Sequence, residues 1–351
     1  MSFRRIVVFA VEDDRAQVTW ASLPPGRHVF RAGPAHAEVE VEDGGGPGAV
    51  DLAGLAPATE YELTLDGSRV AKFRTLTSPP GALLSRFATV NDCHVGETAF
   101  GYFRTIRERP RPEEPYSVRC LGAAIAEARD WGATHLLVKG DLTNRNLATE
   151  LDIAGRMLWS SGMEVSAILG NHDVTRRGLN AREALAKHGI VVDPKPRAVD
   201  LPGIRLVLVQ SARRGYSRGF LDDVQIEGAA ELIASSPTPV FLALHHPLQR
   251  IDRNLVWPPG IPGSEAGPFL EAVASASPNV VIASGHSHRN RFRKVGTIPL
   301  VQTGSTKDFP GAWTGYAVHE GGIRQVVRRT TAPDVMRWTD QSRRAVLGAW
   351  P

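Results

Sequence analysis

The sequence predicts an α/β fold preceded by a small all-β sandwich, and three observations carry that prediction. Short alternating runs, set apart by Pro, Gly and Asp turns, fill residues 1–78. After the breaker Thr77-Ser78-Pro79-Pro80-Gly81, apolar strand-like runs alternate with amphipathic helical stretches. At about 150 residues per domain, a chain of 351 residues divides into roughly two.

In the first part, strands are expected at Arg5–Ala10, Ala16–Trp20, His28–Ala32, Ala37–Val41, Glu60–Leu65 and Ala71–Leu76. Pro24-Pro25-Gly26, the run Asp43 to Gly48, and Asp66-Gly67 supply the turns. The α/β part offers strands at Arg86–Val90, His135–Val138, Val165–Leu169, Val240–Leu244 and Val280–Ala283. Helices are expected near Ser117–Trp131, Asn146–Ser160, Ala181–His188, Asp222–Ala234 and Ala266–Ala276. Residues 105–116, rich in Arg, Pro and Glu, read as a surface loop. The expected division is 1–78 for the sandwich, 79–330 for the α/β domain and 331–351 for a basic tail.

Composition narrows the function classes. With 42% hydrophobic and 22% charged residues, the chain is not collagen-like, coiled-coil or disordered. No apolar run approaches the ~20 residues of a membrane span. The early run Ile6–Val11 is shorter than the ~7–15-residue core of a secretion signal. A soluble, cytoplasmic protein is expected, with Cys93 and Cys120 as buried reduced thiols. The formal charge of +4 is uneven. Residues 1–78 carry 8 Lys+Arg against 11 Asp+Glu, a net of −3, and residues 322–351 carry 6 Arg against 2 Asp, a net of +4. The surplus is read as a solvated tail. The acidic front offers no electrostatic track for nucleic acid, so the expected partner is a small molecule.

Five polar clusters follow five of the expected strands. They are Asp92-Cys93-His94, Gly140-Asp141 with Asn144-Arg145, Gly170-Asn171-His172-Asp173, His245-His246-Pro247 and Gly285-His286-Ser287-His288. Six of the 11 His residues lie in them, where α/β sheets gather ligands at strand carboxyl ends. Imidazoles, carboxylates and one amide suit Zn, Mn or Fe, and the thiolates of a structural zinc site are lacking. There are more candidate ligands than one ion needs. Two ions sharing a carboxylate at ~3.5–4 Å is the arrangement that phosphoester hydrolysis uses. Asp-x-His or Gly-Asp alone is an ordinary turn, whereas Gly-Asn-His-Asp is expected by chance in this length roughly two times in a thousand.

The order Asp-x-His, Gly-Asp-x-x-Asn-Arg, Gly-Asn-His-Asp, His, Gly-His-x-His resembles the calcineurin-like metallophosphoesterase superfamily over residues 84–328. It is nearest the Asp-x-His branch, which includes bacterial cyclic-nucleotide phosphodiesterases and glycerophosphodiesterases. Leu55-Ala56-Pro57-Ala58-Thr59-Glu60-Tyr61 with Phe73-Arg74-Thr75 resembles the fibronectin type III-like domain that precedes the catalytic domain of purple acid phosphatases. The resemblance implies a four-layer α/β/β/α sandwich and a ligand set. Asp92, His94, Asp141 and His288 would hold the first ion, Asp141 would bridge, and Asn171, His245 and His286 would hold the second. His246 then lines the pocket or packs. Purple acid phosphatases carry a Tyr ligand where this chain has Asn144, so a ferric first site is not implied. Two divalent or mixed-valence ions, Mn, Fe or Zn, are expected.

The same residues suggest a mechanism. His172 is the candidate acid for the leaving alkoxide, or else a phosphate ligand, with Asp173 or a backbone carbonyl fixing its tautomer. Arg145 could hold a phosphoryl oxygen, its alternative being a surface ion pair. Substrate choice would lie in the loops Ser211–Phe220 and Gln249–Gly267, with Trp257 read as packed on the domain in preference to stacked on a base. The expected activity is hydrolysis of small phosphodiesters, of cyclic-nucleotide or glycerophosphodiester type, by a metal-activated hydroxide. A phosphomonoesterase and a non-catalytic metal-binding module are the alternatives.

Overall fold

The computed structural model describes residues 6–101, 104–108, 113–253 and 257–343. Outside the described residues lie the expected strand start at Arg5, Arg109 and Arg111 of the 105–116 loop, residues 254–256 of the 249–267 loop, and 344–351 of the expected tail.

Seven strands open the described chain: β1 (Ile6–Val11), β2 (Arg15–Leu23), β3 (Gly26–Ala32), β4 (Ala35–Val41), β5 (Gly46–Ala53), β6 (Glu60–Leu65) and β7 (Ser68–Arg74). They pair antiparallel in two sheets, ordered β1-β2-β5 and β4-β3-β6-β7. Trp20, Phe30, Leu52 and Leu63 close the core between the sheets, with the Trp20 and Phe30 rings stacked at 5.1 Å. β6 alternates Glu60 and Glu62 outward with Tyr61 and Leu63 inward, which makes it legible as a strand. β5 was not expected, because it begins inside the Gly-rich run read as a turn. Gly48 sits in it for a packing reason: a side chain there would collide with the Trp20 indole.

The linker after β7 is irregular, as the breaker predicts. Then follow β8 (Leu83–Val90), α1 (Tyr116–Asp130), β9 (His135–Lys139), α2 (Ala148–Trp159), β10 (Glu164–Ile168) and α3 (Ala181–Ala186). Next come β11 (Arg197–Leu201), β12 (Ile204–Leu208), α4 (Asp223–Ala234), β13 (Val240–Ala243), α5 (Gly263–Ala276) and β14 (Val280–Ser284). The last are β15 (Arg291–Val295), β16 (Ile298–Gln302), β17 (Ala312–His319), β18 (Gly322–Arg329) and α6 (Pro333–Ser342). Two mixed sheets result, ordered β10-β9-β8-β17-β18 and β11-β12-β13-β14-β16-β15. Their inner faces meet through Phe87, Leu137 and Tyr316 on one side and Leu206, Phe241 and Ala283 on the other. The Phe87 ring stacks on Tyr316 at 4.7 Å and meets Phe241 edge-on at 5.1 Å. Outside, α1 and α2 cover the first sheet with Leu121, Ala124, Leu151 and Leu158. α4 and α5 cover the second with Ala229, Ile233, Phe269 and Val273. The α/β part is thus a four-layer α/β/β/α sandwich, each large side chain in its core contributing about 1.5–3 kcal/mol of burial.

β11, β12 and β15 to β18 were not expected. β17 shows why: it is buried on both faces from Ala312 to Val318, so the alternation that marks a half-exposed strand is missing. The basic tail is corrected as well. Residues 333–342 form α6, with Val335, Met336 and Trp338 buried and the Trp338 ring stacked on Tyr116 at 3.5 Å. Nor is all of the basic surplus solvated: Arg324, Arg328 and Arg329 are buried, while Arg337 is exposed. Arg328 on β18 donates to Glu12 at 2.8 Å and to Asp51 at 2.6 Å, and Arg324 donates to Glu12 at 3.3 Å and to Asp13. Trp131 Nε1 donates to the same Glu12 carboxylate at 3.2 Å. The Gln17 amide both donates to and accepts from the Arg329 backbone, each at 2.9 Å. The acidic front and the basic end therefore neutralise each other across the seam between the β-sandwich and the α/β sheets. Cys93 and Cys120 are buried free thiols. Among the described residues no helix is long and apolar enough to cross a membrane.

Candidate metal centre

The five clusters directly follow the carboxyl ends of β8, β9, β10, β13 and β14, and the structure brings them together. Asp141 stands at the middle. Its Oδ2 lies 3.7 Å from His94 Nε2 and 3.4 Å from His245 Nε2. On one side His94 Nε2 and His288 Nε2 are 3.4 Å apart, with Asp92 Oδ1 3.4 Å from His288 Nε2. On the other side His245 Nε2 and His286 Nδ1 are 3.2 Å apart. All of these residues except His288 are buried.

These spacings fit cations. Two nitrogens at ~2.0–2.1 Å from one ion at the tetrahedral angle stand about 3.4 Å apart. Ring nitrogens that face each other at that distance gain nothing from each other unless an ion or a proton lies between them. The Asp92 Oδ1 and Asn171 Oδ1 oxygens are buried without any hydrogen-bond partner. A buried acceptor left bare is costly, and a cation is the partner the surrounding donor set suits. The arrangement has two lobes that share Asp141, the form a pair of ions needs.

The backbone is bent to make this possible. Asp92, His94, Asp141, His286 and His288 have φ of 52°, 45°, 51°, 68° and 53°, and they are five of the nine non-glycine residues with positive φ among the described residues. Such left-handed residues cost energy and gather where surrounding structure enforces a functional geometry. Gly140, at φ 88°, answers a close approach: a Cβ there would stand 2.5 Å from His245 Nδ1.

The imidazoles are held from behind. His245 Nδ1 donates to the Lys139 carbonyl at 2.8 Å, and His286 Nε2 to the Pro259 carbonyl at 3.1 Å. His288 Nδ1 binds Asp308 Oδ2 at 2.5 Å. Each of these bonds fixes a tautomer that leaves the other nitrogen turned inward. Burial disfavours a charged His245, yet Asp141 beside it lifts its pKa to about 9. His288, buried against Asp92 and Asp308, is lifted to about 10. His286 is pressed down to about 3 by burial and by His245.

Of the two partners expected to fix the His172 tautomer, the backbone carbonyl is present and Asp173 is placed otherwise. Asp173 does not touch the His172 ring. Its fully buried carboxylate accepts from the Gly170, Leu142 and Thr143 backbone amides and from Thr143 Oγ1, at 2.7–3.1 Å. It ties the loops after β9 and β10 together, and the Asn144 carbonyl holds His172 Nδ1 instead, at 2.7 Å. Arg145 is exposed, and no ion pair engages its side chain among the described residues. His172 itself is half-buried, its ring edge-on to His94 at 4.5 Å. His246 is buried, with Nδ1 2.9 Å from Ser211 Oγ and Nε2 without a partner. Trp257, expected to pack, is 74% exposed.

Sequence reasoning missed Asp308 and Asn91. Asn91 Nδ2 donates to Asp92 Oδ2 at 2.6 Å. Its position directly before the Asp-x-His motif was the available signal. Asp308 lies in a loop between two strands that were themselves not expected, so it had none.

No family model matches the chain. A protein of Psychrobacter arcticus named as a probable cyclic nucleotide phosphodiesterase is 26% identical over 176 residues, which are 49% of this chain and 62% of that protein. Another so named, from a further Psychrobacter species, is 25% identical over 196 residues, 53% of this chain and 55% of its own length. The chain therefore spans less than two thirds of either relative. The crystal structure of a dimetal phosphatase from Danio rerio matches with a TM-score of 0.52 at 15% identity, over 71% of this chain and 99% of that one. The fold is that of the metallophosphoesterases.

Proposed function

We propose that the chain is a binuclear metal-dependent phosphoric ester hydrolase acting on small phosphodiesters. The observation that carries this reading is the shared Asp141, with His94, His288 and Asp92 gathered on one side and His245 and His286 on the other. Asp92, His94, Asp141 and His288 would hold the first ion, and Asp141, Asn171, His245 and His286 the second. The donor set suits Mn, Fe or Zn. When bound, two such ions would lower the pKa of an attacking water and take up charge on the phosphoryl oxygens.

The chain's own residues do the rest. His172, its Nδ1–H donated to the Asn144 carbonyl, keeps Nε2 as the exchangeable position. From there it gives a proton to the leaving alkoxide. The unpaired Arg145 guanidinium binds a non-bridging phosphoryl oxygen with its planar fork. Asp308, behind His288, is a positioning residue. A diester in preference to a monoester is supported by the names of the two relatives and by neutral Asn144, which leaves the site less negative than an Asp there would. The strand orders β1-β2-β5 and β4-β3-β6-β7 support a fibronectin type III-like reading of the first 78 residues and a division of the chain at residues 78 and 79.

The test is hydrolysis of bis(p-nitrophenyl) phosphate against p-nitrophenyl phosphate by Mn²⁺-reconstituted protein, with Asp141→Asn as control. Faster diester turnover, lost in the variant, is expected. Faster monoester turnover would make the protein a phosphatase, and no turnover of either would make it a metal-binding module.

A further inference from the structure

A cavity of about 370 Å³ opens beside the candidate metal centre. It adjoins that centre through three of its lining residues. Ser287 lies between His286 and His288, Pro247 follows His246, and Pro258 precedes the Pro259 carbonyl that His286 Nε2 binds. Arg250, Arg253, Arg291 and Arg293 bring four guanidinium groups to the lining, and among the described residues no carboxylate lines it. None of the four makes an ion pair among the described residues, and the nearby Asp252 carboxylate accepts from the Ser264 amide at 2.7 Å. Arg293 is half-buried; burial and the neighbouring Arg250 charge press its pKa below the ordinary arginine value. Four like charges against one nearby carboxylate are unfavourable in the absence of an anion. Two aromatic rings edge the same region: Phe292 in the lining is 66% exposed, and Trp257, next to Pro258, is 74% exposed.

We propose that this cavity is the subsite for the part of the substrate remote from the scissile ester, and that this part carries a second phosphate. The inference rests on the phosphodiesterase reading above and narrows its substrate class to nucleoside phosphodiesters bearing a further phosphate. Guanidinium forks pair with phosphate oxygens two at a time, and several of them suit a dianion. The exposed Phe292 and Trp257 faces supply stacking for a base. The cavity's size is that of a small-molecule site. Arg293 donates to the Leu248 carbonyl; the exposed Arg250, Arg253 and Arg291 and the bare aromatics then have one cause.

Two measurements on Mn²⁺-reconstituted protein test this. The first is calorimetric binding of thymidine 3′,5′-bisphosphate against thymidine 5′-monophosphate. The second is turnover of the p-nitrophenyl ester of thymidine 5′-phosphate with and without a 3′-phosphate. The 3′-phosphate is expected to improve both binding and kcat/KM by about tenfold or more, as one or two charge-assisted hydrogen bonds would. In the double variant Arg250→Gln, Arg291→Gln, two exposed positions, both ratios should fall to near one. Arg250→Lys with Arg291→Lys should restore part of the preference. Equal affinity for the two nucleotides in the unaltered protein, or a preference that survives the Gln variant, overturns the subsite. A bisphosphate preference without ester turnover leaves the subsite standing and removes the phosphodiesterase reading; turnover without preference does the reverse.

Discussion

Asp308→Asn is the substitution whose consequence can be worked furthest. The carboxylate is nearly fully buried and holds two cations' worth of partners: His288 Nδ1 at 2.5 Å and Lys307 Nζ at 2.7 Å. Lys307 keeps Glu97 at 2.6 Å, so the change does not orphan it. Asn preserves shape but keeps one acceptor oxygen where Asp308 has two; with that oxygen on His288, the charge-assisted bond there, worth about 1.5–3 kcal/mol, becomes a neutral one of about 0.5–1.5 kcal/mol. The loss is roughly 1–1.5 kcal/mol at His288, and imidazole orientation is loosened besides. A 10–100-fold drop in metal affinity is about 1.4–2.7 kcal/mol, and that is the expected size. The drop should depend on pH. His288 is held protonated to about 10 by Asp92 and Asp308, and a ligand must be neutral to bind a metal. Removing the Asp308 charge lowers that pKa and so weakens proton competition, which offsets part of the loss near pH 7. The deficit should therefore be larger at pH 9 than at pH 7. Calorimetric titration of Mn²⁺ into chelator-stripped protein at the two pH values reads this directly. An affinity within twofold of the unaltered protein at both, in a variant with unchanged circular dichroism, would refute the orienting role.

Other consequences are simpler to state. Glu12→Gln removes the carboxylate that Arg324, Arg328 and Trp131 share at the seam; each arginine keeps a second carboxylate, Asp13 or Asp51, so the cost should be about 1–3 kcal/mol, and a melting curve no lower than that of the unaltered protein would contradict the clamp. His172→Gln should slow esters with poor alkoxide leaving groups by about 10²–10⁴-fold while slowing p-nitrophenyl esters much less; equal slowing of both would assign His172 to phosphate binding. His135, 3% exposed, has its pKa lowered chiefly by burial, so folding favours the neutral ring. The stability it lends is complete above the unfolded value of about 6.5 and declines as pH falls toward the folded value, by up to about 1.4 kcal/mol per unit. Urea midpoints at pH 7 and pH 5.5 should diverge more in the unaltered protein than in His135→Asn, and parallel pH dependence in the two would count against it.

Much of this molecule is legible in its sequence because the site and the fold use the same signal. Each ligand cluster closes an apolar strand, so locating β8, β9, β10, β13 and β14 also locates Asp92, His94, Asp141, Asn171, His245, His286 and His288. What escaped notice follows a pattern. β17 has no exposed face, β5 begins in a Gly-rich run in which Gly48 admits Trp20, and α6 sits in a stretch whose arginines look like a solvated run. Arg324 and Arg328 of the preceding β18 pair with carboxylates about 300 positions earlier in the chain, and nothing local in a sequence records such a partner. Asp173 was misread for the opposite reason. Its neighbour in the chain is His172, but its charge is satisfied by backbone amides that the loop turns toward it.

The central claim is two ions sharing Asp141. Its most direct test is metal content after Mn²⁺ titration of stripped protein, for the unaltered chain and for Asn171→Ala. Two equivalents falling to one tight equivalent in Asn171→Ala is the predicted result. A single equivalent in the unaltered protein, undisturbed by Asn171→Ala, would contradict the binuclear centre.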